Sequence, residues 1–393
     1  MINKFNIKLI TKLLHINQGL LKLKLPNNKE LHIGEINSEF IAELNIHSWQ
    51  TFNKIIKEGS MGFAEAYMNS EASSPDILKV IQLLGINRKY NKKIIKGKAL
   101  YSIYNYMQHI CRPNSKNGSK KNISSHYDLG NNFYSKWLDK SMTYSSGIFI
   151  NKKVDLKTAQ KNKYENLCKI IKIQQNDEVL EVGCGWGGFA EYAAKTYGAK
   201  VTGLTISKKQ AEYAKERIYK QGLNDLVEIK IMDYRDITHK YDKIISIEMF
   251  EAVGEKYWPV FFNKLHENLK DSGLIGVQLI SINNELYSSY RNNVDFIQKY
   301  IFPGGFLPSI KALSQAASKA KLNMEIKKSF GKDYAKTLSF WRNTFISEWD
   351  TIAKEQRFNE SFKRMWEYYL SYCEAGFLLG STDVHQILFN KFN

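Results

Sequence analysis

The stretch with the densest chemical potential is Glu181-Val182-Gly183-Cys184-Gly185-Trp186-Gly187-Gly188, four glycines within six positions behind an acid. Glycines at such spacing let a chain turn sharply and bring backbone groups against a ligand with no Cβ in the way. A dinucleotide turn would read G-x-G-x-x-G, and a phosphate loop would end in Lys followed by Ser or Thr. Neither pattern is present. Glu181 instead suits a ligand that carries a cation or an amino group. Further on, Glu248-Met249-Phe250-Glu251-Ala252-Val253-Gly254 places Glu251 among aromatics, where it is a candidate base or base-holder. The plainer alternative is a helix-start acid stabilised by the dipole.

These groups need a framework. Val179 to Val182 reads as a buried strand feeding the glycine turn, and the helix that follows carries Phe189, Tyr192 and Ala193 on one face. Further strands are expected at 200–204, 227–232, 241–247 and 273–282, with helices at 156–171, 207–221 (capped by Ser207) and 258–269. That alternation predicts an α/β fold, a parallel sheet with helices on both faces, whose ligands sit at the carboxyl ends of the strands. The tail from Tyr334 onward reads as helical and aromatic-rich, packing back onto this domain.

The run E-V-G-C-G-W-G resembles motif I of the S-adenosylmethionine (SAM)-dependent methyltransferases. On that resemblance Gly183, Gly185 and Gly187 meet the methionine part of the cofactor. Thr205, Ser207 and Gln210 offer uncharged hydrogen bonds to the ribose. Asp233 accepts from the adenine amino group and Tyr234 covers the ring; an exposed turn acid is the alternative for Asp233. The polar and aromatic segments 126–134 and 142–147 read as a lid or wall, with Tyr127, Tyr144 and Ser145 as further cofactor contacts.

Ahead of this lies a smaller mixed α+β region. It contains a helical pattern at 5–14, a hairpin at 19–25 and 30–33 around Pro26-Asn27-Asn28, and short helices at 49–57 and 61–68. A helix begins at Ser74-Pro75-Asp76, and a basic amphipathic segment spans 91–110. Pro113 to Asn122 has linker composition. The expected units are therefore an N-terminal domain at 1–112, a linker at 113–125 and a catalytic domain at 126–393.

The net charge of +18 is uneven: residues 1–125 hold 19 Lys/Arg against 8 Asp/Glu, and no acid falls between Asp76 and Asp128. Such a block seeks an anionic surface, nucleic acid or acidic phospholipid; solvated lysines are the plainer reading. The usual nucleic-acid recognition motifs and an N-P-P-Y target-base motif are missing, which argues against nucleic acid. No apolar run reaches the roughly 20 residues a spanning helix needs, and the start reads as no signal peptide. Cys111, Cys168, Cys184 and Cys373 lack metal spacing, so a reduced chain in the cytoplasm, without disulfides or a metal, is expected.

Taken together, H-Y-D-L-G-N-N-F-Y-S, M-T-Y-S-S-G, V-L-E-V-G-C-G-W-G-G, V-T-G-L-T-I-S, M-D-Y-R-D, M-F-E-A-V-G, K-Y-I-F-P-G-G-F-L-P-S and F-G-K-D-Y-A-K-T-L stand in the order seen in cyclopropane-fatty-acyl-phospholipid synthases. E-G-S-M-G-F-A-E-A-Y-M and F-K-R-M-W-E-Y-Y-L-S-Y-C extend the resemblance over nearly the whole chain. It implies methyl transfer from SAM to a cis double bond of a membrane phospholipid acyl chain, then proton loss and ring closure. It also implies a homodimer at the inner face of the cell membrane, with the N-terminal domain engaging lipid. A cation-stabilising wall is expected from Tyr144, Phe250, Tyr300, Phe302 and Tyr334. In this family bicarbonate serves as the base. By motif position Glu251, Ile280 and Tyr334 match its binding set, whereas the Cys is Ser146, the His is Gln278, and the His that commonly follows the motif Glu is Ala252. A glutamine takes no proton at neutral pH, so a methyl- or methylene-branched acyl product is the alternative to the ring. A soluble amine acceptor is a further alternative, disfavoured by the basic N-terminal half.

Overall fold

The structure, a computed structural model, describes residues 14–91, 114–116, 118–119 and 129–392. Nearly all of the expected helix at 5–14 and of the basic segment at 91–110 lies outside the described residues, as does Tyr127.

Alternation of leucine and lysine builds the first sheet. β1 (Leu20–Lys24) and β2 (Glu30–Gly34) form the expected antiparallel hairpin, with Leu21 opposite Ile33. β3 (Ile41–Ile46), which sequence patterning did not single out, runs parallel to β1, and β4 (Ala72–Ser73) closes the order β2-β1-β3-β4. Helices follow at Gln50–Glu58, Ser60–Met68 and Ile77–Ile86; the carboxylate of Asp76 caps the last by accepting from Lys79 N.

The second sheet is built from β5 (Glu178–Val182), β6 (Lys200–Thr205), β7 (Val227–Ile231), β8 (Tyr241–Ile247), β9 (Leu269–Ile282), β10 (Leu322–Ser329) and β11 (Thr382–Lys391). Its order is β10-β11-β9-β8-β5-β6-β7. The five strands read from sequence are parallel to one another; β10 and β11 add antiparallel pairs at one side. In β5, residues 179–182 are all buried, as expected for a parallel strand covered on both faces. The chain runs outward from β5 through β6 to β7, then returns to β8 on the other side of β5. That reversal opens a crevice at the carboxyl ends of β5 and β8, where ligands of such sheets bind.

The tail departs from its expectation. Helices do occupy Gly331–Ser347, Trp349–Gln356 and Glu360–Leu378, but the chain then forms β11, inserted between β9 and β10. The helix Glu360–Leu378 packs on the helix Gly331–Ser347 and also on the N-terminal helices Ser60–Met68 and Ile77–Ile86. Tyr67 donates to Glu367 at 2.9 Å, and Arg364 donates to the carbonyls of Tyr67 and Ala72. One apolar cluster therefore runs from Leu21, Leu23 and Phe52 through Tyr368 and Trp366 to Trp341.

Candidate active site

The glycine turn leaves β5 with Gly183, Gly185 and Gly187 all at positive φ. A Cβ at Gly183 would meet Met249 at 2.6 Å, so packing requires that glycine. At Gly185, with φ +52°, a Cβ would meet no protein atom within 4 Å, so the space beside this backbone belongs to a cavity rather than to the core. Glu181 is 2% exposed, and its Oε2 has no hydrogen-bond partner among the described residues. Burial raises its pKa to about 8, against the pull of Lys163, the Ala190 backbone and Arg217. An orphaned buried carboxyl beside an open glycine backbone fits a ligand bearing both an amino group and a sulfonium.

The ribose and adenine candidates fall at the ends of β6 and β7. Thr205 and Gln210 line the cavity and hydrogen-bond each other at 2.9 Å. The Ser207 hydroxyl instead caps its own helix, accepting from Gln210 N. Asp233 lines the cavity, but its carboxylate is taken up by Arg235, which donates to it through Nε at 2.7 Å and through a terminal nitrogen at 2.6 Å. Arg235 also reaches Asn114 O and Ser119 Oγ, so described residues of the segment with linker composition lie over this end of the cavity. Tyr234 lines the same wall. Sequence reasoning passed over Arg235, Asn114 and Ser119, which sit in stretches that read as turn and linker.

The acceptor side lies beyond the ends of β8 and β9. Glu251 Oε1 accepts from Ile280 N at 2.6 Å, and its buried Oε2 is unpartnered. Burial, reinforced by Glu248, raises its pKa to about 8. Glu248 was not foreseen. It follows the last residue of β8 with φ +49°, a conformation that costs a non-glycine residue about 1–2 kcal/mol. Its Oε1 accepts from Ser146 N at 2.9 Å and Gln278 Nε2 at 2.7 Å, and its Oε2 accepts from Tyr334 Oη at 2.6 Å. Burial raises its pKa, opposed by those hydrogen bonds and by Lys163. Ser146 thus acts through its backbone, since its hydroxyl donates to Gly147 O. Gln278 is braced by Gln386, its direct neighbour across β9 and β11, which donates to Gln278 Oε1 at 2.9 Å. Lys163 is fully buried and donates to Ser145 Oγ at 2.6 Å; burial lowers its pKa to about 7.

A continuous cavity of about 680 Å³ joins Glu181, Glu248, Glu251, Ile280 and Tyr334, while Ser146 and Gln278 stand behind Glu248 and do not line it. It runs from Glu181 and Gly185 past Glu248, Glu251 and Ile280 to an apolar wall of Leu21, Leu44, Phe52, Phe63, Val80 and Leu84. Of the expected aromatic wall, Tyr144, Phe302 and Tyr334 line the cavity. Phe250 does not: it is wholly buried among Trp258, Phe261 and Phe262, because that helix needs an anchor beneath the sheet. Tyr300 does not either, since its hydroxyl binds Glu65 and its ring packs on Phe296. Tyr368, Tyr369 and Phe377, from the tail helix, take their places.

Residues 114–387 match the family described as mycolic acid cyclopropane synthetase. The chain belongs to that family. It is 35% identical over 347 residues to a tuberculostearic acid methyltransferase of Mycobacterium tuberculosis, covering 85% of this chain and 79% of that one. It is 34% identical over 372 residues to the cyclopropane-fatty-acyl-phospholipid synthase of Escherichia coli, covering 91% and 90%. Among solved structures, a mycolic acid cyclopropane synthase complexed with S-adenosylhomocysteine and CTAB superposes with a TM-score of 0.66 at 28% identity, over 69% of this chain and 98% of that one. This cyclopropane synthetase relative is accordingly a SAM-dependent enzyme with the class I methyltransferase fold, a cyclopropane or methyl transferase acting on fatty acyl chains.

Proposed function

We propose that the protein acts on the cis double bond of an unsaturated acyl chain within a membrane phospholipid and converts it to a cyclopropane. One cavity supports this reading: cofactor cradle, paired carboxylates and a long apolar wall line the same continuous space. Glu181 and the backbone at Gly183 and Gly185 would hold SAM, which would supply an electrophilic methyl group. The chain's own residues do the rest. The apolar wall desolvates the acyl chain and keeps water from the carbocation that forms on it. Tyr144, Phe302 and Tyr369 turn π-rich surface toward the same space. Glu248 and Glu251 line the same cavity and offer it carboxyl groups, one to accept the departing proton. The basic N-terminal block would hold the protein at the cytoplasmic face of an anionic bilayer. The described residues contain no helix long and apolar enough to cross a membrane.

A methyl- or methylene-branched product is the second reading, favoured by Ser146 and Gln278 at the positions of the family's Cys and His and by the similarity to the tuberculostearic acid methyltransferase. The experiment is incubation with SAM and vesicles of a monounsaturated phosphatidylglycerol, with the released fatty acids examined by NMR. Cyclopropyl proton signals are expected. Branch-methyl or alkene methylene signals without cyclopropyl ones would establish the second reading, and unmodified lipid with no S-adenosylhomocysteine formed would reject both.

A further inference from the structure

The proton-removing end of the cavity holds more carboxylate than the family pattern calls for. Of the five positions implied around a bicarbonate, three point at Glu248: Ser146 N, Gln278 Nε2 and Tyr334 Oη all donate to its two oxygens. The other two, Glu251 and Ile280, bind each other. A free anion here would have to displace the Glu248 side chain or lie against its carboxylate, and like charges in contact repel strongly in a desolvated site.

We infer that Glu248 replaces the bicarbonate: its carboxylate is a built-in anion that takes the proton from the newly attached methyl group. This rests on the acyl-chain reading above. The proton balance is simple. Once the double bond has gained the methyl carbon, one C–H bond of that methyl breaks. Its electron pair forms the third C–C bond of the ring to the cationic carbon, and its proton passes to Glu248 Oε2. That oxygen accepts one hydrogen bond, from Tyr334, and so keeps a lone pair for the proton. Between the two acids the charge belongs on Glu248, which has three donors and Lys163 nearby; Glu251 has one donor and holds its proton more tightly than an ordinary carboxyl. Burial favours a neutral carboxyl at Glu248 as well, which makes it a stronger base once ionised.

The left-handed backbone supplies a clean test, because Glu248→Gly removes the carboxylate at a φ that glycine adopts freely. Carbon-13 bicarbonate NMR needs no lipid substrate. The wild-type protein should leave the bicarbonate line unbroadened, and Glu248→Gly should broaden it. Binding by the wild type, or none by the variant, overturns the inference. In carbonate-free buffer, wild-type turnover on monounsaturated phosphatidylglycerol vesicles should match that in 20 mM bicarbonate within about twofold. Glu248→Gly should lose about 100-fold or more in kcat, the range a positioned base contributes, and regain at least tenfold on adding bicarbonate. Glu248→Gln, which still fills the space, should lose as much and regain nothing. Wild-type dependence on bicarbonate, or near-normal turnover of Glu248→Gly without it, overturns the inference. A wild type inactive on lipid but with the expected NMR behaviour would count against the acyl-chain reading alone.

Discussion

The two ends of the cavity are built on opposite plans. At the cofactor end, recognition is mostly backbone: a glycine turn with open space beside Gly185 and a buried carboxyl, Glu181, whose Oε2 is left without a hydrogen-bond partner. At the acceptor end, recognition is mostly side chain: Glu248 is held by three donors, and the donor Gln278 is held by Gln386 on the neighbouring strand. The first end is unfinished until a ligand arrives. At the second, Glu248 is already held in place and only Glu251 Oε2 stays open, which on the proposed mechanism suits a group that must keep its position while a reactive cation forms nearby.

The largest expected effect tests the unfinished end. Gly185→Val should raise the SAM dissociation constant about 100-fold or more by calorimetry, because its side chain fills the ligand's space. The protein itself should lose only about 1–2 kcal/mol from the left-handed φ. Unchanged affinity would mean the cradle lies elsewhere.

Next, Glu251→Gln should cut turnover about 100-fold while SAM affinity stays within about twofold, which assigns this acid to the acceptor end. It should also alter pH dependence. A carboxyl whose pKa rises from the ordinary 4.5 to about 8 on folding binds its proton more tightly in the folded state. Its stabilising contribution is complete below about pH 4.5 and is lost as pH rises through about 8. The variant should therefore show a flatter decline in unfolding free energy across that window; an identical slope would put Glu251 in contact with solvent.

Gln386→Leu should do less. It leaves the Gln278 carbonyl oxygen unsatisfied, at about 1–3 kcal/mol of stability, and should lower turnover about tenfold with SAM binding intact. Equal loss at both ends of the cavity would dissolve the distinction between them. The smallest effect concerns neither end: co-sedimentation with vesicles should fall several-fold when phosphatidylglycerol is replaced by phosphatidylcholine, and should weaken with salt.

Much of the cofactor end was legible in the sequence because its signals are local. A buried strand, a glycine turn and a capped helix follow one another within β5 and the helix Gly188–Tyr197. The order of β5 to β9 was legible for the same reason, as apolar runs separated by helical periodicity. The acceptor end draws on positions far apart in the chain. Glu248 was given no role at the head of its run, although an acid three residues before Glu251 was a signal available to be read. β11 escaped notice because His385 and Gln386 interrupt its pattern; both are buried, with His385 bonded to Ser281 and Ser329 and Gln386 to Gln278. Asp233 showed its position but not its partner, since Arg235, two residues on, also reads as a turn residue.

Gln386 belongs to the eleventh and last of the described strands, yet it steadies a residue that touches Glu248. A nascent chain that had emerged only as far as β9 would already own both carboxylates and the glycine turn, but not the brace that aims Gln278. If Glu248 takes the proton as proposed, a protein cut short by even ten residues would keep the cofactor pocket but lose the strand between β9 and β10 that steadies its proton acceptor.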